Sequence, residues 1–191
     1  EMTRGNERLK YLFSGLSLEN YWTSQFDEFY PGFYDTFAIF ITKMFPKKIS
    51  VEIFHLTNSI FSILTVFGAY KITSILFNKD VGKIVFIICF LNPSLFGHMA
   101  INSKDTIVAF ANVWTTYILL RYIKKQNLND SSTNYVILAG LTIGLGTGVR
   151  IPFAATLIPL FFFIIIEILF LKKITSNKFS FTKFFQHSFV V

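Results

Sequence analysis

The sequence is short of charge, of histidine and above all of cysteine. Of its 191 residues 15% are charged, against about a quarter in an average soluble domain. A single cysteine, Cys89, excludes a disulfide framework and any multi-cysteine zinc site. The three histidines, His55, His98 and His187, lie too far apart for metal-ligand spacing. Acidic residues number 11 against 18 Lys and Arg, leaving a net charge of +7. No basic stripe interleaves with exposed aromatics, so that charge needs no nucleic acid as partner. What fills the chain is apolar: 52% of residues are hydrophobic, 18% aromatic, and 25 are Phe. A soluble domain of this length leaves about 30% of its unfolded surface exposed and could not hide so much. These numbers argue against an ordinary soluble enzyme and against a disordered chain. They point to an all-α fold, a polytopic transmembrane helical bundle.

Residues 1–36 are polar with interspersed aromatics. Residues 37–45 are apolar but fall short of the ~20 residues a span needs. Pro46-Lys47-Lys48 stops them, so an interfacial helix is expected. Five longer apolar runs follow, at roughly 51–77, 84–101, 106–123, 135–149 and 151–171. Asn92-Pro93 interrupts the second, because proline lacks a backbone donor and disfavours helix at the residue before it. Gly140, Gly144 and Gly148 recur every fourth residue in the fourth run, which suits close approach of a neighbouring helix. GLGTG there follows no strand, which disfavours a phosphate loop. The expected organisation is a first extracytoplasmic loop with an interfacial helix over 1–50, a five-span bundle over 51–171, and a cytoplasmic loop over 172–191 leading to a further span. The chain opens at Glu1 in polar sequence and stops at Val191 inside an apolar run, so it reads as an internal piece of a longer protein.

Basic residues orient the spans. If all five cross, Lys79, Lys83, Arg121, Lys124, Lys125, and the four lysines at 172, 173, 178 and 183 share one side. The opposite loops hold Lys104 and Arg150, with Lys47-Lys48 against the trend. The positive-inside rule puts the lysine-rich side in the cytoplasm. The chain is then a multi-pass protein of the cell (inner) membrane. Residues 1–36, the loop near 96–104 and the junction near 150 face outward, where they can share one extracytoplasmic pocket.

That outer boundary carries the candidate chemistry. Ser103 is a fair N-cap for the third span, and Asp105 in the first turn suits the helix dipole. Yet His98, Lys104 and Asp105 fall within one short stretch beside a bilayer, and ionisable groups there are functional candidates. Arg150 closes the fourth run ahead of Pro152. It can snorkel to lipid headgroups or grip a specific phosphate in bidentate fashion. Asp27-Glu28 read as solvated loop acids, and Glu167 as interfacial. Asn129-Asp130-Ser131 matches a glycosylation sequon but falls on the cytoplasmic side of this scheme.

The stretch from YPGFYDTFAIFITKMFPKK through VEIFHLTNSIFSIL and FLNPSLFGHMAINSKDTIVAF resembles the membrane core of polyprenyl-phosphate-dependent glycosyltransferases. These are the GT-C class, in particular the family 39-like group that includes dolichyl-phosphate-mannose protein mannosyltransferases and lipid A aminoarabinose transferases. GLTIGLGTGVRIPFAATLIPLFFF resembles the following helix pair, with a basic residue closing the Gly-rich helix. The resemblance implies an Asp-Glu pair opening the first outer loop, the Asp being the base. Glu1, thirty residues before Pro31, fits the Glu of that pair, with the base just upstream. It also implies that Asp105 is the second acidic position and that Arg150 faces the lipid-linked phosphate. Lys104 and His98 enter only as further candidates for binding substrate.

The implied activity is inverting transfer of a sugar from a polyprenyl-phosphate donor to a hydroxyl of a glycan, lipid or protein acceptor. Membrane lipids are the remaining partners. The resemblance fixes no cofactor and leaves a divalent metal open, with the lipid-linked sugar donor as substrate. The competing reading is a multi-span transporter or flippase-like protein without glycosyl transfer, for which Asn92-Pro93 would be a broken helix near a substrate site. Few polar residues line the middles of the second, third and fourth runs, which favours the enzyme. A non-catalytic packing subunit would leave His98, Lys104, Asp105 and Arg150 clustered by coincidence.

Overall fold

A computed structural model describes residues 32–126 and 133–171, together with residues 6, 8–10 and 13. Among the described residues no strand occurs and the chain is helical almost throughout. Gly32 opens the first helix in the left-handed conformation, φ 71°. That positive φ favours glycine, while a Cβ there would meet only the movable end of the Arg8 side chain. Helix α1 (Phe33–Thr42) overlaps the short apolar stretch at 37–45. Pro46 and the 3₁₀ turn Lys47–Ile49 separate it from α2 (Ser50–Leu76).

Helix α3 (Lys79–Leu91) begins ahead of its apolar run, because the Asn78 side chain accepts the Val81 N–H and caps it at the lysines. It ends at Asn92-Pro93. Asn92 adopts an extended conformation, as a residue before proline should, and its Oδ1 caps the six-residue α4 (Pro93–His98) through the Ser94 and Leu95 N–H groups. Helices α5 (Ser103–Gln126) and α6 (Thr133–Val149) follow. The last apolar run is subdivided into α7 (Phe153–Thr156), α8 (Ile158–Ile166) and a π-helical turn, Glu167–Leu171.

Among the described residues three segments are long and apolar enough to cross a membrane, Lys47–Leu76, Ser103–Lys125 and Phe153–Phe170; Thr133–Val149 is a shorter apolar helix. At 1.5 Å per residue, the 17 residues of α6 rise about 26 Å, just under the ~30 Å of a typical hydrocarbon core. Together with the composition this makes the chain an all-α helical membrane bundle.

The core runs the length of the bundle. At one end Tyr34, Ala38, Phe54, Ile107 and Val149 join α1, α2, α5 and α6. In the middle Ala111, Phe153 and Leu157 meet. At the far end Tyr122, Ile123, Val136, Ile164 and Ile168 pack together. Glu167 is buried beside that far cluster rather than interfacial. Polar contacts between helices reinforce the packing: Trp114 Nε1 donates to Leu64 O at 3.1 Å, and Lys124 Nζ to Ile75 O at 3.2 Å. Meanwhile Ile84, Ile88, Leu91, Phe162 and Phe170 point outward, as lipid-facing side chains do.

Candidate functional site

The first core cluster sets the site, because Ile107 and Val149 are buried in it while Asp105 and Arg150 sit one or two residues away. Asn102, not the expected Ser103, is the N-cap of α5: its Oδ1 accepts the Asp105 N–H at 3.1 Å. Ser103 is instead the first helical residue and is buried. The Asn102 Nδ2 donates back to Asp105 Oδ2 at 2.8 Å. This is a reciprocal arrangement akin to a capping box, with the amide standing in for the backbone donor.

The other oxygen is held from a different helix. Arg150 Nη1 lies 2.7 Å from Asp105 Oδ1. Arg150 directly follows α6, where a cation faces the negative helix end; its N–H donates to Gly146 O, and Phe153 N–H donates to Arg150 O. The chain can reverse so tightly because Phe153 lies against Gly146, where a Cβ would stand 2.4 Å from the ring. Gly148 similarly admits Phe33 of α1, whereas a Cβ at Gly144 would meet no described atom. The glycine stripe expected at 140, 144 and 148 thus does its close packing at 146 and 148.

Beside Asp105 lies a cavity of about 340 Å³ between α2, α4 and α5. Asp105, Asn102, Thr106, Ser62, Thr65 and His98 supply its polar lining. That volume is at the lower end of small-ligand sites. His98 and Asp105 therefore border one space. Lys104 does not: neighbouring helical residues point about 100° apart, and it borders a small pocket with Gly32, Tyr34, Asp35 and Val149. Asp35 is buried there, with Arg8 Nη1 at 4.0 Å. Glu1, and the sequon at 129–131, lie outside the described residues.

The Asp105–Arg150 pair is open to solvent, the two side chains being 56% and 35% exposed. Exposed ion pairs contribute about 0–1 kcal/mol, so this one does little for stability and a ligand can part it at small cost. Asp105 would be one ligand of a divalent cation, yet both its oxygens are engaged by Asn102 and Arg150. Among the described residues no group of three His, Cys, Asp or Glu gathers around it.

Sequence reasoning overlooked a second polar set. His55, Asn58 and Ser62 of α2 reach the turn that precedes α5, binding the Ala100 and Met99 carbonyls at 2.8, 2.9 and 3.0 Å. Their spacing, three and then four residues inside an apolar helix, was the signal.

Residues 33–185 match the family model of the dolichyl-phosphate-mannose-protein mannosyltransferases. The chain belongs to that family. It is a membrane glycosyltransferase of the GT-C type. No curated protein and no solved structure matches it significantly. The family match spans α1 to the π turn, and with it the capped Asp105, the Arg150 turn and the cavity between α2, α4 and α5.

Proposed function

We propose that the chain transfers a sugar from a polyprenyl-phosphate donor to an acceptor hydroxyl on the extracytoplasmic face of the cell membrane, with inversion. The observation that carries this reading is the 2.7 Å approach of Arg150 to Asp105. It unites a carboxylate and a guanidinium from separate helices beside a cavity of ligand size. The sidedness rests on Lys79, Lys83, Lys124 and Lys125, which mark the ends of helices remote from Asp105.

In the reaction a base withdraws the proton of the acceptor hydroxyl as its oxygen bonds to the anomeric carbon. The bond from that carbon to the phosphate oxygen breaks, and its electron pair leaves with the lipid phosphate. Arg150 carries several N–H donors in a planar fork suited to phosphate. A phosphate between donor sugar and lipid competes with Asp105 for that fork, and the guanidinium stabilises the charge growing on the leaving group. Asp105, steered by Asn102, orients the acceptor hydroxyl from the cavity side. The base belongs to the Asp-Glu pair of the first outer loop, to which Glu1 is assigned, and such a base contributes typically 10²–10⁴-fold.

The test is Asp105→Asn in the full-length protein, measured in membranes. The amide keeps the shape and can still meet Asn102, so accumulation should be normal. Transfer should fall roughly a hundredfold, the order seen when one preorganised polar group is lost from a site. Normal transfer by this variant would refute the assignment.

A further inference from the structure

The turn that carries Asn102 to its place buries Met99 and is held by polar contacts as well. Beyond α4 the Ile101 and Asn102 N–H groups both return to His98 O, while the Met99 and Ala100 carbonyls face one side of α2. Asn58 Nδ2 donates to Met99 O, the one Ser62 hydroxyl proton is shared between Met99 O at 3.0 Å and Asn58 O at 3.1 Å, and the His55 ring donates to Ala100 O through Nδ1. The His55 proton must therefore sit on Nδ1. These partners are 37 to 45 residues apart in sequence. Asn58 is fully buried, and its Oδ1 has no hydrogen-bond partner. An apolar residue of the same size would spare that cost, so tighter packing does not account for an asparagine here.

We infer that Asn58, Ser62 and His55 are positioning residues of the transfer reaction: through the Met99–Asn102 turn they set the height and rotation of Asn102, and so the direction in which Asp105 meets Arg150. The chain of contacts is continuous, from Asn58 and Ser62 to Met99 O, along the turn to Asn102, and by Asn102 Nδ2 to Asp105 Oδ2. Two short side chains on one carbonyl fix it in two directions, which apolar contact does not. The inference rests on the reading of Asp105 as a working carboxylate.

The test uses the full-length protein in lipid nanodiscs, comparing Asn58→Leu, Ser62→Val and Ser62→Thr with Asp105→Asn. Valine and threonine share a shape, so only the hydroxyl distinguishes the two Ser62 variants. Hydrogen exchange needs no donor: Asn58→Leu and Ser62→Val should speed exchange at 99–106 at least tenfold and leave α2 and α6 unchanged, while Ser62→Thr stays at the wild-type rate. With dolichyl-phosphate mannose and undecaprenyl-phosphate mannose as donor probes, kcat should fall at least tenfold in the two disrupted variants. Donor KM should stay within twofold, and Ser62→Thr should recover most of the kcat lost in Ser62→Val. Unchanged exchange at 99–106, or faster exchange spread across α2 and α5 together, overturns the inference. So does a wild-type kcat in Ser62→Val when Asp105→Asn is inactive, which leaves the transferase reading standing. Full activity in Asp105→Asn overturns that reading, and the catalytic purpose of these three residues falls with it.

Discussion

Asp105 owes its orientation to two partners of different kinds. Asn102 is local, three residues back on the same helical turn, while Arg150 arrives from the end of α6. Asn102→Ala removes the cap of α5 together with the amide that holds Oδ2. The lost cap costs about 1 kcal/mol, read as a lower unfolding temperature in detergent. Transfer should fall about tenfold more than that stability loss accounts for. Asn102→Ser separates the two roles, because serine caps well but cannot donate from an amide to Oδ2. Stability should recover and activity should not. At Arg150 the fork matters as well as the charge: Arg150→Lys keeps the cation but loses planar bidentate recognition, so the KM for the lipid-linked donor should rise about tenfold. An unchanged donor KM would remove phosphate recognition from Arg150.

Among the elements, those with one dominant local cause were legible. The spans corresponding to α2 and α5 follow from uninterrupted apolar runs, and the α3–α4 break from Asn92-Pro93. The early start of α3 was less visible, since it depends on the Asn78 side chain closing a turn over charged residues rather than on hydropathy. Ser103 looked like the cap of α5 because the preference scale ranks serine and asparagine almost equally. Only the geometry shows that the residue one position earlier makes the bond. The subdivision at Leu157 was missed because Pro159 lies in the first turn of α8, where proline is tolerated and leaves no gap in hydrophobicity. The glycines show the same limit. Spacing alone treats Gly144 and Gly148 alike, whereas the neighbours single out Gly146 and Gly148. Gly146→Val must push the Phe153 ring away, costing roughly 1–3 kcal/mol by overpacking, and it should loosen the Arg150 turn. Gly144→Val should stay within about 0.5 kcal/mol. Thermal unfolding of the two purified variants checks the contrast, and adding Phe153→Ala to Gly146→Val should recover part of the loss.

For the whole molecule the proposal requires that everything near Asp105, Lys47, Lys48 and Lys104 included, faces one side of the membrane and the helix ends bearing Lys79, Lys83, Lys124 and Lys125 face the other. The bundle itself supports two separate ends. Asn102, Asp105 and Arg150 cluster at the start of α5 and the end of α6, and Lys124 reaches Ile75 O where α5 and α2 finish. At that second end Lys83 pairs with Asp80 at 2.9 Å. The hydrogen bond from Lys83 draws the Asp80 carboxyl below its ordinary value and in turn raises the lysine. Lys83 thus stays cationic at neutral pH and counts toward orientation, since acids contribute little to that rule. Cys89 is the one cysteine of these 191 residues, so in a cysteine-free background that includes Cys89→Ser single cysteines report sidedness. Ile101 and Lys79 are both exposed, so Ile101→Cys and Lys79→Cys should react with little disturbance to the fold. A membrane-impermeant maleimide added to intact cells should modify the first at once and the second only after the membrane is opened. The reverse pattern would turn the site toward the cytoplasm. Labelling of both positions from outside would mean that α2 and α5 do not carry their ends to opposite faces, and Lys79, Lys83, Lys124 and Lys125 would then share a face with the donor site.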